Sequence, residues 1–175
     1  MTPLSIRPAV AGDIAAITRI YRHAVEHGTA SFELEAPDET EMARRLHALL
    51  QGGYPYLVAE RAGTIAGYAY AGAYRARPAY HWSVEDSIYV APDMQRMRVG
   101  SQLLKHLIEE AERRGFRQMI AVIGDSAQTP SIAVHERAGF SHVGTLRSVG
   151  FKHGRWLDTV LMQRALGSGA TVPPS

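Results

Sequence analysis

Arg96 and Arg98 open an amphipathic run, "QRMRVGSQLLKHLIEEAERRG". Val99, Leu103, Leu104, Leu107, Ile108 and Ala111 recur at helical spacing, and Gly115 ends the run. Arginines at the positive end of a helix oppose its dipole. They stop opposing it when an anion binds there, because unpaired backbone N–H groups and both guanidiniums then face one negative charge. Gly100, in the first turn, lets a ligand approach the backbone closely. The chemistry this suits is capture of a pyrophosphate. The plainer alternative is a pair of solvated surface arginines. The run is not a P-loop, since no Gly-Lys-Ser/Thr follows, and it lacks the Gly-x-Gly-x-x-Gly of a dinucleotide site.

Three further groups have chemistry in them. Glu85, in "HWSVEDSIYV", lies among Trp82, Val84 and Ile88. Apolar surroundings raise a carboxylate pKa toward neutrality and suit it to general-base work, against the alternative of a partly exposed strand residue. Asp86 is adjacent, but strand alternation points it to the other face, where a structural role is expected. His135, in "AVHERAGF", either donates and accepts protons near neutral pH or simply packs. Arg75 and Arg77, in "AYRARPAY", are spaced by two on a segment that reads as extended, so they face one side and suit a carboxylate. Phe32, Tyr74, Tyr80 and Trp82 are either core or the walls of a small pocket, and Lys152 and His153 in "FKHGRW" are placed to close it from a loop.

The chain of 175 residues suits one domain with a real core. Its net charge of +2, with no Lys/Arg-dense run, gives no support for nucleic-acid binding. Cysteine is absent, which excludes disulfides, a Cys-ligated zinc and a cysteine nucleophile. No metal is expected. No apolar run is long enough to span a membrane, and "MTPLSIRPAVAGDI" lacks the pattern of a signal peptide, so a cytoplasmic protein is expected.

The elements that must position these residues follow from periodicity. A first strand is expected over 4–9. A helix follows with Asp13 as its cap and Ile14, Ile17, Tyr21, Ala24 and Val25 on one face. A second helix starts at a capping box of Asp38 and Glu41, with Met42, Leu46, Leu49 and Leu50 inward. Two apolar, aromatic runs flank "RAGT" as a hairpin, and "HWSVEDSIYVAP" is a further strand. The Arg96 helix is expected over about 97–114. "FRQMIAVIG" reads as a central strand and "TPSIAVHERAGF" as a short helix with Pro130 in its first turn. Two last strands precede "GSGATVPPS", residues 167–175, which reads as a disordered tail after a domain of residues 1–166. The class is α/β, with helices crossing a central sheet.

A strand, Pro92, "QRMRVG", an amphipathic helix, a strand and a short helix ending "AGF" together resemble the GNAT superfamily of N-acetyltransferases. Gln95, Arg96 and Gly100 match its Gln/Arg-x-x-Gly-x-Gly/Ala signature, while Arg98 stands where glycine is usual. "AGAYRAR", "WSVEDSIYV", "PSIAVHERAGF" and "GFKHGRW", within a match over roughly residues 4–165, narrow the resemblance to the phosphinothricin/methionine sulfoximine acetyltransferase branch. The resemblance implies a mixed, mostly antiparallel sheet of about seven strands with about four helices. It implies acetyl-CoA as co-substrate, a small amino-acid analogue (methionine sulfone, methionine sulfoximine or phosphinothricin) as acceptor, a detoxifying role and a homodimer. It implies a pyrophosphate loop of Gln95, Arg96, Met97, Arg98, Val99, Gly100 and Ser101. It further implies backbone contacts to pantetheine from Ile88, Tyr89 and Val90, and cofactor contacts at Gln128 and Ser131. It implies Glu85 as base and His135 as acid or relay. It implies acceptor contacts from the region of Phe32, Tyr74, Arg75, Arg77, Glu85, Asp86, Ser87 and Lys152. The alternatives are an acetyltransferase of protein or peptide N-termini, which has no free α-carboxylate for the arginines to hold, and a non-catalytic CoA-binding module, which has no need of Glu85.

Overall fold

In the computed structural model, which describes residues 3–174, seven strands form one sheet in the order β1-β2-β3-β4-β5-β7-β6. The strands are β1 (Ser5–Pro8), β2 (Tyr56–Arg61), β3 (Thr64–Ala73), β4 (Ser83–Val90), β5 (Gln118–Gly124), β6 (Ser141–Lys152) and β7 (Arg155–Ala165). The helices are α1 (Ile14–His27), α2 (Glu39–Gln51), α3 (Val99–Arg113) and α4 (Thr129–Arg137). All neighbours are antiparallel except β4 and β5. Element order and class agree with the sequence expectation. Both two-residue hairpins, Ala62-Gly63 and His153-Gly154, have positive φ at both positions, the conformation that matches the twist of the flanking strands.

The sequence "GYAYAGA" in β3 decides what lies on each face of the sheet. Ala69 and Ala71 face α3, whose Val99, Leu103, Leu104 and Leu107 are buried against them. Tyr68 and Tyr70 face the other way, toward α1 and α2, which contribute Ile17, Tyr21, Val25, Met42 and Leu46. Small side chains let α3 sit close to the sheet, and the tall tyrosines hold the other two helices off it.

β4 and β5 pair only over Ser83–Asp86 and Gln118–Ala121. Beyond that point β4 stays with β3 as far as Val90, and β5 stays with β7 as far as Gly124. The central strands therefore diverge and leave an open wedge in the middle of the sheet.

Three local expectations are corrected. Asp13 does not cap α1: both its oxygens accept from the Arg7 guanidinium at 2.8 Å, and Oδ2 also accepts from Val10 N. Only half of the α2 capping box forms, with Asp38 Oδ1 accepting from Glu41 N, because the Glu41 carboxylate binds Arg44 and Arg45 instead. α3 begins at Val99 rather than near 97, because Arg98 adopts a left-handed backbone. After β7 the described residues include turns at residues 167–170, and Arg117 donates to Ser168, Gly169 and Pro173. Ser175 lies outside the described residues.

Candidate active site

The wedge is lined by Asp86, Ser87, Ile88 and Tyr89 on β4, by Ala121–Gly124 on β5, and by Ser131 and His135 on α4. Backbone groups of Ser87–Val90 that point away from β3 have no strand to pair with, so they are available to an extended ligand arm. The chain then passes the 3-10 turn Pro92–Met94 into the start of α3.

That start leaves backbone donors and positive charge open to solvent. Val99, Gly100 and Ser101 carry first-turn N–H groups with no intrahelical acceptor. Arg96 and Arg98 both have φ near +60° (61° and 62°), and both side chains are exposed and make no hydrogen bond among the described residues. The left-handed backbone at Arg98 explains why glycine is usual there: a side chain costs about 1–2 kcal/mol in that region. A Cβ at Gly100 would meet nothing nearer than Val90 Cγ2 at 3.6 Å, so packing does not require its glycine. Val99 is buried in the core, so only its backbone can reach a ligand. The Ser101 hydroxyl donates to Arg98 O, and the exposed Met97 sulfur accepts from Arg61. Gln95 is exposed beside them. Gln128 precedes α4, and its Nε2 donates to Thr29 Oγ1, so its amide holds a loop.

Glu85 and Asp86 leave β4 on opposite faces. Glu85 is half-buried, on the face of Ser87 and Tyr89, opposite Gly72 of β3. Burial pushes its pKa up, the neighbouring Asp86 charge adds to this, and Arg75 opposes it. Asp86 is buried on the α3–α4 face and accepts from His135 Nε2 at 2.9 Å. His135 Nδ1 lies 2.8 Å from Ser131 O. A carbonyl and a carboxylate only accept, so both ring nitrogens carry protons and His135 is an imidazolium. Burial works against that charge, but Asp86 and the Ser131 carbonyl outweigh it and raise the pKa. His135 therefore has no free proton donor pointing into the wedge, contrary to the sequence expectation. The Asp86 side chain lies on the face opposite Glu85, as strand alternation leads one to expect.

The loop between α1 and α2 roofs the Glu85 side. Phe32 packs against Gly124 and Gly150, and a Cβ at Gly124 would come within 2.8 Å of its ring. Thr29 Oγ1 donates to Asp125 Oδ2 at 2.7 Å, and Arg155 Nη2 donates to the same oxygen. Burial pushes the Asp125 pKa up, but bonds from Thr29, Ala127 N and Arg155 hold it below the ordinary value. Lys152 is buried and donates to Ser31 O at 2.8 Å, so it anchors this roof rather than standing in an open loop. Burial lowers its pKa, and Glu33 partly restores it. Residues 74–77 bend instead of running extended, so the alternation argument for Arg75 and Arg77 does not hold. Arg75 lies over the Tyr74 ring at 5.1 Å and feels the Glu85 charge; Arg77 is exposed at the start of the next turn. Tyr74 and Tyr80 make an edge-to-face pair. Sequence reasoning missed the Asp125–Thr29–Arg155 clamp and the pairing of Asp86 with His135, which join residues 30 to 96 positions apart.

Three comparisons agree with this geometry. Residues 6–161 match the Acetyltransferase (GNAT) domain model. The chain is 54% identical to the phosphinothricin N-acetyltransferase of Alcaligenes faecalis over 93% of this chain and 82% of that one. It is 40% identical to the L-methionine sulfoximine/L-methionine sulfone acetyltransferase of Salmonella typhimurium, over 95% and 97%. A GNAT-superfamily phosphinothricin acetyltransferase from Sinorhizobium meliloti, solved in complex with acetyl-CoA, superposes with a TM-score of 0.96 at 48% identity, covering 100% of this chain and 94% of that one. With its divergent central strands, its left-handed entry to α3 and these relatives, the chain is an N-acetyltransferase and belongs to the GNAT acetyltransferase family.

Proposed function

We propose that the protein transfers the acetyl group of acetyl-CoA directly to the amino group of a small amino-acid analogue of the methionine sulfone, methionine sulfoximine or phosphinothricin type, with Glu85 as general base. The observation that carries this is the wedge between β4 and β5, with a half-buried carboxylate on the face next to it whose pKa is pushed up. Relatives named for those acceptors, and one solved with acetyl-CoA, support the substrate pair.

The cofactor pyrophosphate rests on the first-turn N–H groups of α3, with Gln95, Arg96 and Arg98 around it, and pantetheine follows the free backbone of Ile88–Val90. An ammonium is no nucleophile, so Glu85 takes the amine's proton, and its raised pKa brings it nearer to working pH. The amine attacks the thioester carbon, and an N–H of the unpaired β4 edge donates to the developing oxyanion. The C–S bond breaks, and the departing thiolate takes up the proton that the acylated nitrogen releases, while the His135 imidazolium, both of whose N–H groups are already engaged, contributes positive charge on that side. Absence of cysteine supports direct transfer over a thioester-enzyme intermediate. Arg75 and Arg77 hold the acceptor carboxylate, while Tyr74, Ser87 and Phe32 bound the acceptor.

We further infer a cytoplasmic enzyme, where acetyl-CoA is at hand, that detoxifies or scavenges such analogues as a homodimer. β6 is an edge strand, and Val143, Leu146, Val149, Phe151 and Trp156 on it and on β7 are all at least half exposed, which supports a covered face. Light scattering in solution tests the dimer. Thiol release from acetyl-CoA tests the reaction, run against amino-acid sulfones, sulfoximines, phosphinates, their amides and peptides. Release with the free acids and not with the amides is expected. Equal rates with the amides or peptides overturn the carboxylate clamp. Binding of acetyl-CoA without turnover of any amine overturns the enzyme reading.

A further inference from the structure

The loop between α1 and α2 is held in different ways along its length. Residues 28–32 are bound to the C-terminal end of β5 and to the β6–β7 hairpin, 96 to 125 positions later in the chain. Thr29 Oγ1 donates to Asp125 Oδ2 at 2.7 Å, and Gln128 Nε2 donates to Thr29 Oγ1 at 3.2 Å. Lys152 Nζ donates to Ser31 O at 2.8 Å, and His153 Nε2 lies 3.2 Å from Gly28 O. The loop backbone lies directly on β5, since a Cβ on Gly124 would come within 2.9 Å of both Thr29 O and Ala30 O. Phe32 then sits over Gly124 and Gly150, where no side chain stands in its way. Glu33 turns back to Tyr21 and Arg45. Residues 34–37 make no side-chain hydrogen bond among the described residues, and Leu34 is exposed.

Asp125 is the hub of the first half. It is 4% exposed, and both its oxygens are engaged: Oδ2 accepts from Thr29 and Arg155, and Oδ1 accepts from Ala127 N at 3.0 Å. Its backbone is left-handed, with φ of 70°. A non-glycine residue keeps that conformation only where its surroundings impose it. The side chain is used up by these bonds, so any effect Asp125 has on the reaction passes through Thr29. Three residues after Thr29 stands Phe32, which keeps 37% of its surface exposed although its ring is fitted over two glycines.

We infer that Asp125, acting through Thr29, is a positioning residue for the acceptor: it holds the 28–32 segment on the end of β5 and so keeps Phe32 in place before the acceptor arrives. This rests on the proposed acetylation of amino-acid analogues, in which Phe32 bounds the acceptor. It adds that the affinity for the acceptor is set partly from the turn between β5 and α4. A wall already ordered in the free enzyme does not have to be ordered at the expense of binding.

Steady-state thiol-release kinetics of Thr29→Val and Thr29→Ser test it, with methionine sulfone as acceptor. Valine keeps the size and removes the donor, while Asp125 retains Arg155 and Ala127 N as partners. Serine keeps the donor. Thr29→Val is expected to raise the KM for methionine sulfone about threefold to tenfold, with kcat and the KM for acetyl-CoA within about twofold. Thr29→Ser is expected to stay within about twofold of wild type in all three. In a Phe32→Ala background, Thr29→Val is expected to change the acceptor KM by less than about twofold, because the side chain it positions is gone. A bond that serves stability alone gives another pattern, with both KM values moving together or the same effect with and without Phe32. An unchanged acceptor KM in Thr29→Val, an equal rise in Thr29→Ser, an equal rise in the KM for acetyl-CoA, or the same fold-change in both backgrounds overturns the inference and leaves the proposed function standing. No wild-type turnover of methionine sulfone, methionine sulfoximine or phosphinothricin overturns the proposed function, and the inference with it. Should Thr29→Val not fold, Thr29→Ala decides by the same ratios.

Discussion

Glu85 and Asp86 are consecutive carboxylates on one strand, and the molecule treats them in opposite ways. Strand geometry sends them to opposite faces. Asp86 meets His135 there and becomes half of a buried ion pair that ties β4 to α4 where the β4–β5 ladder has ended. Glu85 meets no cation in hydrogen-bond range among the described residues and is left half-buried with its pKa raised. A buried carboxylate with a partner holds structure. One without a partner holds its proton more tightly, which is what a base near neutral pH requires.

The comparison is broken most severely by removing the partner. Asp86→Ala leaves a buried imidazolium unpaired and is expected to cost about 3–5 kcal/mol, read as a lower urea midpoint. The pair also has a pH signature. The folded-state pKa of His135 is raised, so its stabilisation is complete below the unfolded value of about 6.5 and is lost as pH rises through the folded value. The gap in thermal midpoint between wild type and His135→Gln is therefore expected to narrow with rising pH.

Glu85→Gln is next. It is expected to lower kcat by about 10²–10³-fold near pH 7 and to flatten the acidic limb of the rate profile, in thiol-release assays. Its effect on stability has the opposite sign to that of Asp86. A carboxyl whose folded pKa is raised contributes below its ordinary pKa and loses that contribution as pH rises through the raised value. Glu85→Gln removes this penalty, so its thermal midpoint relative to wild type is expected to rise between pH 4 and pH 7.

The two arginines of the α3 entry give smaller effects. Arg96→Ala is expected to raise KM for acetyl-CoA by about threefold to tenfold and to weaken the salt dependence of cofactor binding, with the amine KM unchanged. Arg98→Gly relieves a left-handed backbone and is expected to stabilise the fold by up to about 1 kcal/mol in denaturant titration, with a modest loss of cofactor affinity.

Much of the fold was legible because its signals are local. The helical spacing from Val99 to Ala111 and the turn residues Ala62-Gly63 act within a few positions. The α3 entry was legible too, since an arginine pair at a helix start is a mismatch visible in one line of sequence. What failed were side-chain partners. Asp13 looked like a cap and is taken by Arg7; Lys152 looked like a loop cation and is buried under Ser31. Arg75 and Arg77 were read by strand alternation on a segment that bends. His135 looked free because Asp86, 49 positions earlier, is invisible to periodicity.

The sequence by itself determined the order of elements, the split of Glu85 and Asp86 to two faces, and the arginine pair of "QRMRVG" at the entry to α3. Each depends on backbone periods or on charges a few residues apart. Only the tertiary structure decided where β4 leaves β5, which carboxylate acquires an imidazolium, and that Tyr56, Tyr68 and Tyr70 frame a cavity on the Glu85 face. Those outcomes depend on which distant segment packs against which, and so on burial and partner geometry rather than on residue type.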